Sequence, residues 1–205
     1  MTVFSRENKR GGIVKAIKKY LTPNPYSRPQ RKLQKPLAVV MHWTANPKAD
    51  ADENRNYFES RKNGLNGYGS AHYIIAQNGR TIQCMPETEV AYHCGTTLKD
   101  PASGKVYTDL ARERFGRYAI DYEHNSPNNC TIAIELCPVD STGAFTKATL
   151  NVAAELCADI LRRYNLTPAD IVTHNQIVGW KDCPRLWVVE PEKLEAFRAA
   201  VGELL

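Results

Sequence analysis

Leu37-Ala38-Val39-Val40-Met41-His42 is an apolar run that ends on an imidazole. A run this short, rich in aliphatic residues, reads as a buried strand whose end is rigid enough to hold a functional side chain. Thr131-Ile132-Ala133-Ile134-Glu135-Leu136 is a second such strand, with a carboxylate inside it, and Ile171-Val172-Thr173 is a third, leading into His174. Between them, 50–63 reads as a helix stopped at Gly64. The stretch 71–76 is a strand joined through Asn78-Gly79 to a hairpin partner over 80–84. Residues 147–164 are the clearest helix, with Leu150, Ala153, Ala154, Cys157, Ile160, Leu161 and Tyr164 at helical spacing. Pro191 opens a last helix carrying Leu194, Phe197, Val201 and Leu204. The polar stretch 95–129 is a surface excursion near a cleft, with a short helix over 110–115 and His124 in an exposed loop. Strands alternating with long helices predict an α/β fold, a mixed central β-sheet flanked by helices.

With 205 residues and 42% hydrophobic content, the chain is long enough for one domain with a sizeable core. No apolar run approaches the ~18 residues of a membrane span. The amino terminus is basic but has neither the apolar stretch nor the small-residue cleavage site of a secretory signal. Residues 1–36 hold ten Lys or Arg against Glu7 alone, a local charge of +9, so the remainder of this +5 chain carries −4. The division expected is a basic extension over 1–35 and a catalytic domain over 36–205. Within the extension, 12–21 reads as an amphipathic helix with Ile13, Ile17, Tyr20 and Leu21 on one face and lysines on another, followed by a linker containing Pro23, Pro25 and Pro29. Its expected partner is an anionic envelope surface or its own domain. Nucleic acid is not expected, because no aromatic-basic stacking pattern accompanies the charge.

The stretch Thr173-His174-Asn175-Gln176-Ile177-Val178-Gly179-Trp180-Lys181-Asp182-Cys183-Pro184 carries the chemistry. An imidazole and a thiol nine residues apart do not make a zinc finger, but they suit an open catalytic zinc site that takes a third ligand from elsewhere, and His42 is the best candidate. A water on such a metal becomes a hydrolytic nucleophile if a carboxylate manages its proton and a cation meets the charge developing on the substrate oxygen. Glu135 and Lys181 fit those roles. A glutamate within Ile-Ala-Ile-Glu-Leu is costly to bury alone, so it faces a cleft or a salt-bridge partner. Cys84, Cys94, Cys130, Cys137, Cys157 and Cys183 form no CxxC pair. Without a signal peptide they read as free thiols, with a Cys84–Cys94 bridge as the alternative.

Taken in order, His42-Trp43-Thr44-Ala45, Ser70-Ala71-His72-Tyr73-Ile74-Ile75, Ala91-Tyr92-His93-Cys94-Gly95, Ile132-Ala133-Ile134-Glu135, His174 and Lys181-Asp182-Cys183-Pro184 closely resemble the zinc-dependent N-acetylmuramoyl-L-alanine amidases of the second amidase family. That family includes phage amidase-type lysozymes, autolysins, muropeptide-recycling amidases and animal peptidoglycan recognition proteins. The resemblance covers about residues 36–190. It implies cleavage of the amide between N-acetylmuramic acid and L-alanine, with Zn2+ on His42, His174 and Cys183, Glu135 handling the water's proton and Lys181 stabilising the oxyanion. Some members lack the glutamate and place a tyrosine where this chain has Ala71, so the chain follows the Glu-using branch.

His93 is expected beside the substrate groove, as a binding residue or as a structural hydrogen-bond partner. Tyr73 is a second binding candidate or a core residue, and His72 a structural histidine. Asn128, Asn129 and Trp180 are groove candidates by adjacency alone. The partner is then peptidoglycan or muropeptides. A non-catalytic recognition module would commonly lack the thiol ligand, which is present here. A recycling amidase accounts for the absent signal and the free thiols, but not for the basic extension. The reading adopted is an endolysin or autolysin, made in the cytoplasm and reaching the wall by phage-type release.

Overall fold

A computed structural model of the chain describes residues 14–119 and 126–205; residues 1–13 and the loop position His124 lie outside the described residues. Six strands form one mixed sheet: β1 (Ile17–Lys18), β2 (Ala38–Trp43), β3 (Tyr73–Ile75), β4 (Thr81–Gln83), β5 (Thr131–Leu136) and β6 (Ile171–Thr173), in the order β1-β4-β3-β5-β2-β6. Among these six strands, only the β3–β4 pair is antiparallel. Six α-helices are described: α1 (Ala51–Ser60), α2 (Asp109–Ala119), α3 (Lys147–Tyr164), α4 (His174–Val178), α5 (Arg185–Val189) and α6 (Glu192–Gly202). None is long and apolar enough to cross a membrane. This is the mixed sheet flanked by helices that the alternating pattern predicts.

Local signals account for the element ends. Asp50 caps α1 in a reciprocal box with Glu53, and after one 3-10 turn Gly64 stops the chain at φ +79°. Thr146 caps α3 by accepting from the Thr149 amide, and Asn165 closes it in the left-handed region at φ +53°. Thr173 caps α4 in a second box, with Gln176, so strand β6 passes directly into a helix whose first residue is His174.

Period-two alternation splits the strand residues between two faces. Met41, Ile132, Ile134 and Ile171 pack under α3 and α6 against Cys157, Ile160, Leu161 and Phe197. Each large aliphatic side chain so buried contributes roughly 1.5–3 kcal/mol. Ala38, Val40 and Val172 face the other way, against Phe115 of α2 and Ile177 and Val178 of α4. His42 continues the Val40 face and Glu135 the Ala133 face. Register aligns His42 with Glu135, and Met41 with Thr173. Three adjacent parallel strands therefore deliver His42, Glu135 and His174 to their carboxyl ends on one side of the sheet, where open α/β sheets bind ligands.

Two expectations need correction. The described part of the proposed 12–21 helix is extended: Ile17–Lys18 pair with Ile82–Gln83, and Lys19 and Leu21 donate to the carbonyls of Gln83 and Cys84 at 3.0 and 2.8 Å. A single short helix is marginal in water, whereas the open edge of β4 offers a ready ladder. Residues beyond it pack on the same edge: Leu21 and Leu33 are buried, and Arg28 forks onto Glu89 with two 2.8 Å hydrogen bonds. The second correction is Tyr73, which aligns with Ile134 and so lies on the α3 face. Its hydroxyl donates to Glu87 Oε1 at 2.8 Å, in a network with Arg163 and Tyr164. Tyr73→Phe should therefore lower the unfolding free energy by about 1–2 kcal/mol, as expected for a lost hydrogen bond to a charged acceptor, with the fold intact; urea denaturation measures it.

Candidate metal centre and cleft

His42, His174 and Cys183 are all buried, and their ligand atoms lie within 4.8 Å of one another. His42 Nδ1 is 3.7 Å from Cys183 Sγ, and the two imidazole centroids are 4.7 Å apart. Strand and helix supply the histidines; the cysteine arrives by a folded-back loop. Gly179 (φ +81°) ends α4, and Asn175 then holds the return: its amide donates to the Cys183 carbonyl at 3.0 Å, and its side chain to the carbonyls of Gly179 and Lys181 at 3.1 and 3.0 Å. Trp43 adds a hydrogen bond from its indole to the Asp182 carbonyl. Asn175 was not anticipated from the sequence, because a side chain that serves only backbone carbonyls leaves no motif of its own.

The electrostatics are dominated by burial. Burial, with the neighbouring His174, His93 and Lys181 charges, holds His42 well below the usual imidazole range, and burial and then Lys181 bring His174 to about 3. Burial, reinforced by Glu135, pushes the Cys183 thiol up to about 12. Burial also raises Glu135 to about 7 against the opposing pull of Lys181. Two buried atoms, His174 Nδ1 and Glu135 Oε2, have no hydrogen-bond partner among the described residues. Neutral imidazoles and an orphaned ring nitrogen are what a divalent metal needs, and its charge would favour loss of the thiol proton. Tetrahedral zinc, with bonds of about 2.0–2.3 Å, separates its ligand atoms by roughly 3.3–3.8 Å, so the donor set fits with small adjustments.

The cluster lies in a cleft of about 980 Å³. Of the predicted residues, His42, His93, Glu135, His174, Trp180, Lys181 and Cys183 line it. Tyr73 does not, and neither does Asn129: its side chain is buried and accepts from Arg31 at 2.7 Å. It is the preceding residue, Asn128, that lines the cleft. His72 is structural as expected, its Nδ1 accepting from the Ala133 amide and its Nε2 meeting the Glu89 carbonyl. All six cysteines are free and buried, with no Cys84–Cys94 bridge.

The sequence reading missed the cleft's far wall. Tyr57, half-exposed on α1, is capped by the Arg61 guanidinium at 4.7 Å, and Tyr68 meets the ring of Tyr26 at a tilt and that of Tyr92 edge-on. Tyr57, beside Phe58 on a helix otherwise rich in charge, was the one signal available. Among the described residues, Arg31, Arg61 and Lys181 are the Lys and Arg side chains lining the cleft, and Glu135 is the carboxylate.

A family model described as N-acetylmuramoyl-L-alanine amidase (Amidase_2) matches residues 32–186. The chain belongs to that family. A probable N-acetylmuramoyl-L-alanine amidase of Bacillus licheniformis is 33% identical over 193 residues, 94% of this chain and 49% of the relative. The amidase CwlL of the same organism is 31% identical, over 94% and 48%. The chain thus spans about half the length of the curated relatives it matches. Among solved structures, a mutant endolysin from Bacillus subtilis aligns with a TM-score of 0.64 at 24% identity, covering 93% of this chain and 100% of that one. The PlyG catalytic domain aligns at 0.65 and 22%, over 93% and 96%. At these identities the structural likeness is one of fold.

Proposed function

We propose that this amidase-family chain hydrolyses the amide joining N-acetylmuramic acid to L-alanine in peptidoglycan, at a zinc site formed by His42, His174 and Cys183. The observation that carries the reading is the convergence of those three ligands, within 4.8 Å, on a cleft that also holds the unpartnered carboxylate of Glu135. A zinc ion bound there supplies Lewis acidity and an activated water at neutral pH. Glu135, aligned with His42 across the ladder, takes the proton of the attacking water and returns it to the departing L-alanine nitrogen. Lys181 stands at the rim as a cation for the charge developing on the carbonyl oxygen. The Trp180 indole N–H is buried in the same wall with no acceptor among the described residues, leaving it free to donate to substrate. Among the described residues, the excess of cationic side chains in the cleft suits a stem peptide that carries free carboxylates.

The assay is release of free L-alanine amino termini from purified peptidoglycan, with metal content measured on the same samples. Wild type should hold about one zinc, Cys183→Ser should lose it, and Glu135→Ala should keep it while activity falls by ~100-fold or more. Because Glu135 acts ionised, kcat/KM should fall as pH drops through its pKa. That value is about 7 in the metal-free pocket, and a bound cation would move it lower. An active Cys183→Ser enzyme, or a Glu135→Ala enzyme at wild-type rate, would sink the proposal.

An endolysin or autolysin role, acting on the intact wall, belongs to the same proposal, with residues 1–35 as the contact to an anionic envelope. Lys15, Lys18, Lys32 and Lys35 are exposed, while Lys19 and Arg28 pair internally with Asp52 and Glu89. Changing those four exposed lysines to Gln, rather than deleting a segment that packs on the sheet, should weaken sedimentation with cell walls at low salt and leave turnover of soluble muropeptides unchanged. Unaltered wall binding would refute this role for the extension.

A further inference from the structure

His93 lines the cleft, yet both of its ring nitrogens are already engaged by other side chains. Nδ1 lies 3.1 Å from His42 Nε2, and Nε2 lies 3.1 Å from Thr131 Oγ1. The direction of these bonds follows from the far end. Thr131 gives its single hydroxyl proton to the Pro127 carbonyl at 2.6 Å, and a carbonyl can only accept. Thr131 Oγ1 therefore accepts from His93, which carries its proton on Nε2. Nδ1 of His93 is then a bare acceptor, and the proton between the two rings belongs to His42 Nε2. What remains on His42 is an unprotonated Nδ1, the atom 3.7 Å from Cys183 Sγ.

We propose that His93 is a positioning residue of the metal centre, holding His42 in the one tautomer and ring orientation that presents a lone pair toward His174 and Cys183. The inference rests on the metal site proposed above, and it replaces direct substrate contact as the role of His93. The ring is itself well anchored. Asn128 Oδ1 accepts from the backbone amides of His93 and Cys94 at 3.0 and 2.9 Å. A side chain at position 95 would put its Cβ 2.7 Å from Asn128 Nδ2, so Gly95 is what lets this clamp close. Thr131, at the start of β5, and His42, near the end of β2, are parts of the same sheet, so the wire is built on rigid elements at both ends.

Partners of this kind orient a ligand and raise its basicity, and removing one costs about 10–100-fold in metal affinity. The test is the zinc dissociation constant, measured by chelator competition, together with the visible absorption spectrum of the cobalt(II)-loaded protein and KM for a muramyl-peptide. His93→Phe fills the ring's volume without an acceptor; zinc affinity should fall about 10–100-fold and the cobalt spectrum should change, with KM near wild type. His93→Asn keeps an acceptor near the Nδ1 position and should recover most of that affinity. Thr131→Val, nearly isosteric and lacking the hydroxyl, should also bind zinc measurably more weakly, because His93 is then free to take the other tautomer.

Zinc affinity and cobalt spectrum unchanged in His93→Phe, with a raised KM, would overturn the inference and return His93 to substrate binding. Should His93→Phe not fold, unchanged zinc affinity in Thr131→Val would overturn it. A wild type that takes up no zinc would remove the metal centre itself, a failure distinct from that of its support.

Discussion

The structure depends on the parallel pairing of β2 with β5 on one side and β6 on the other. Register is unforgiving in such a ladder, because a slip of one residue moves every side chain to the opposite face. With Val39, Met41, Ile132, Ile134 and Ile171 locked under α3 and α6, the alternate residues have no freedom: His42 and Glu135 must emerge together on the other face. The apolar core thereby sets the separation between the proposed metal ligand and the proposed proton acceptor to that of aligned strands. His174 joins them because Thr173, the last residue of β6, is also the cap of the next helix.

The same burial leaves four ionisable groups poorly solvated. Two imidazoles depressed by desolvation, a thiol held protonated and a carboxylate raised to about 7 are groups that water would have solvated better. A divalent cation held by His42, His174 and Cys183 would resolve all four together, by taking the lone pairs, favouring the thiolate and drawing Glu135 toward its ionised form. The hydrogen-bond wire from His42 through His93 and Thr131 to the Pro127 carbonyl belongs to this logic, since the ring nitrogen opposite the proposed metal-binding Nδ1 is given a fixed partner.

Much of this was legible in the sequence. The strands ending near His42 and Leu136, the long helix with its apolar stripe, and the spacing of His174 and Cys183 were strong signals because hydrophobic period and cap chemistry are local. What was not legible depended on partners distant in the chain. The lysines and isoleucines of 12–21 satisfy a helical pattern, but the free edge of β4 turns their described part into a strand. Asn129 was a candidate by adjacency alone, which says nothing about where a side chain points, and of the two readings open for Tyr73 the core one holds, because Tyr73 aligns with Ile134 rather than Glu135. The aromatic wall of Tyr57, Tyr68 and Tyr92 draws on separate segments that only the fold brings together. The family match over residues 32–186 supports the motif reading, and neither would have revealed Asn175 or the direction of the His93 hydrogen bonds.

The central claim is that His42, His174 and Cys183 share one zinc ion with a fourth position left open. X-ray absorption at the zinc edge of the purified full chain tests it directly. The account predicts a four-coordinate shell with one sulfur at about 2.3 Å and light-atom neighbours at about 2.0–2.1 Å, two of them with the outer scattering of imidazole. A shell without sulfur, or one built from more than one sulfur, would contradict it.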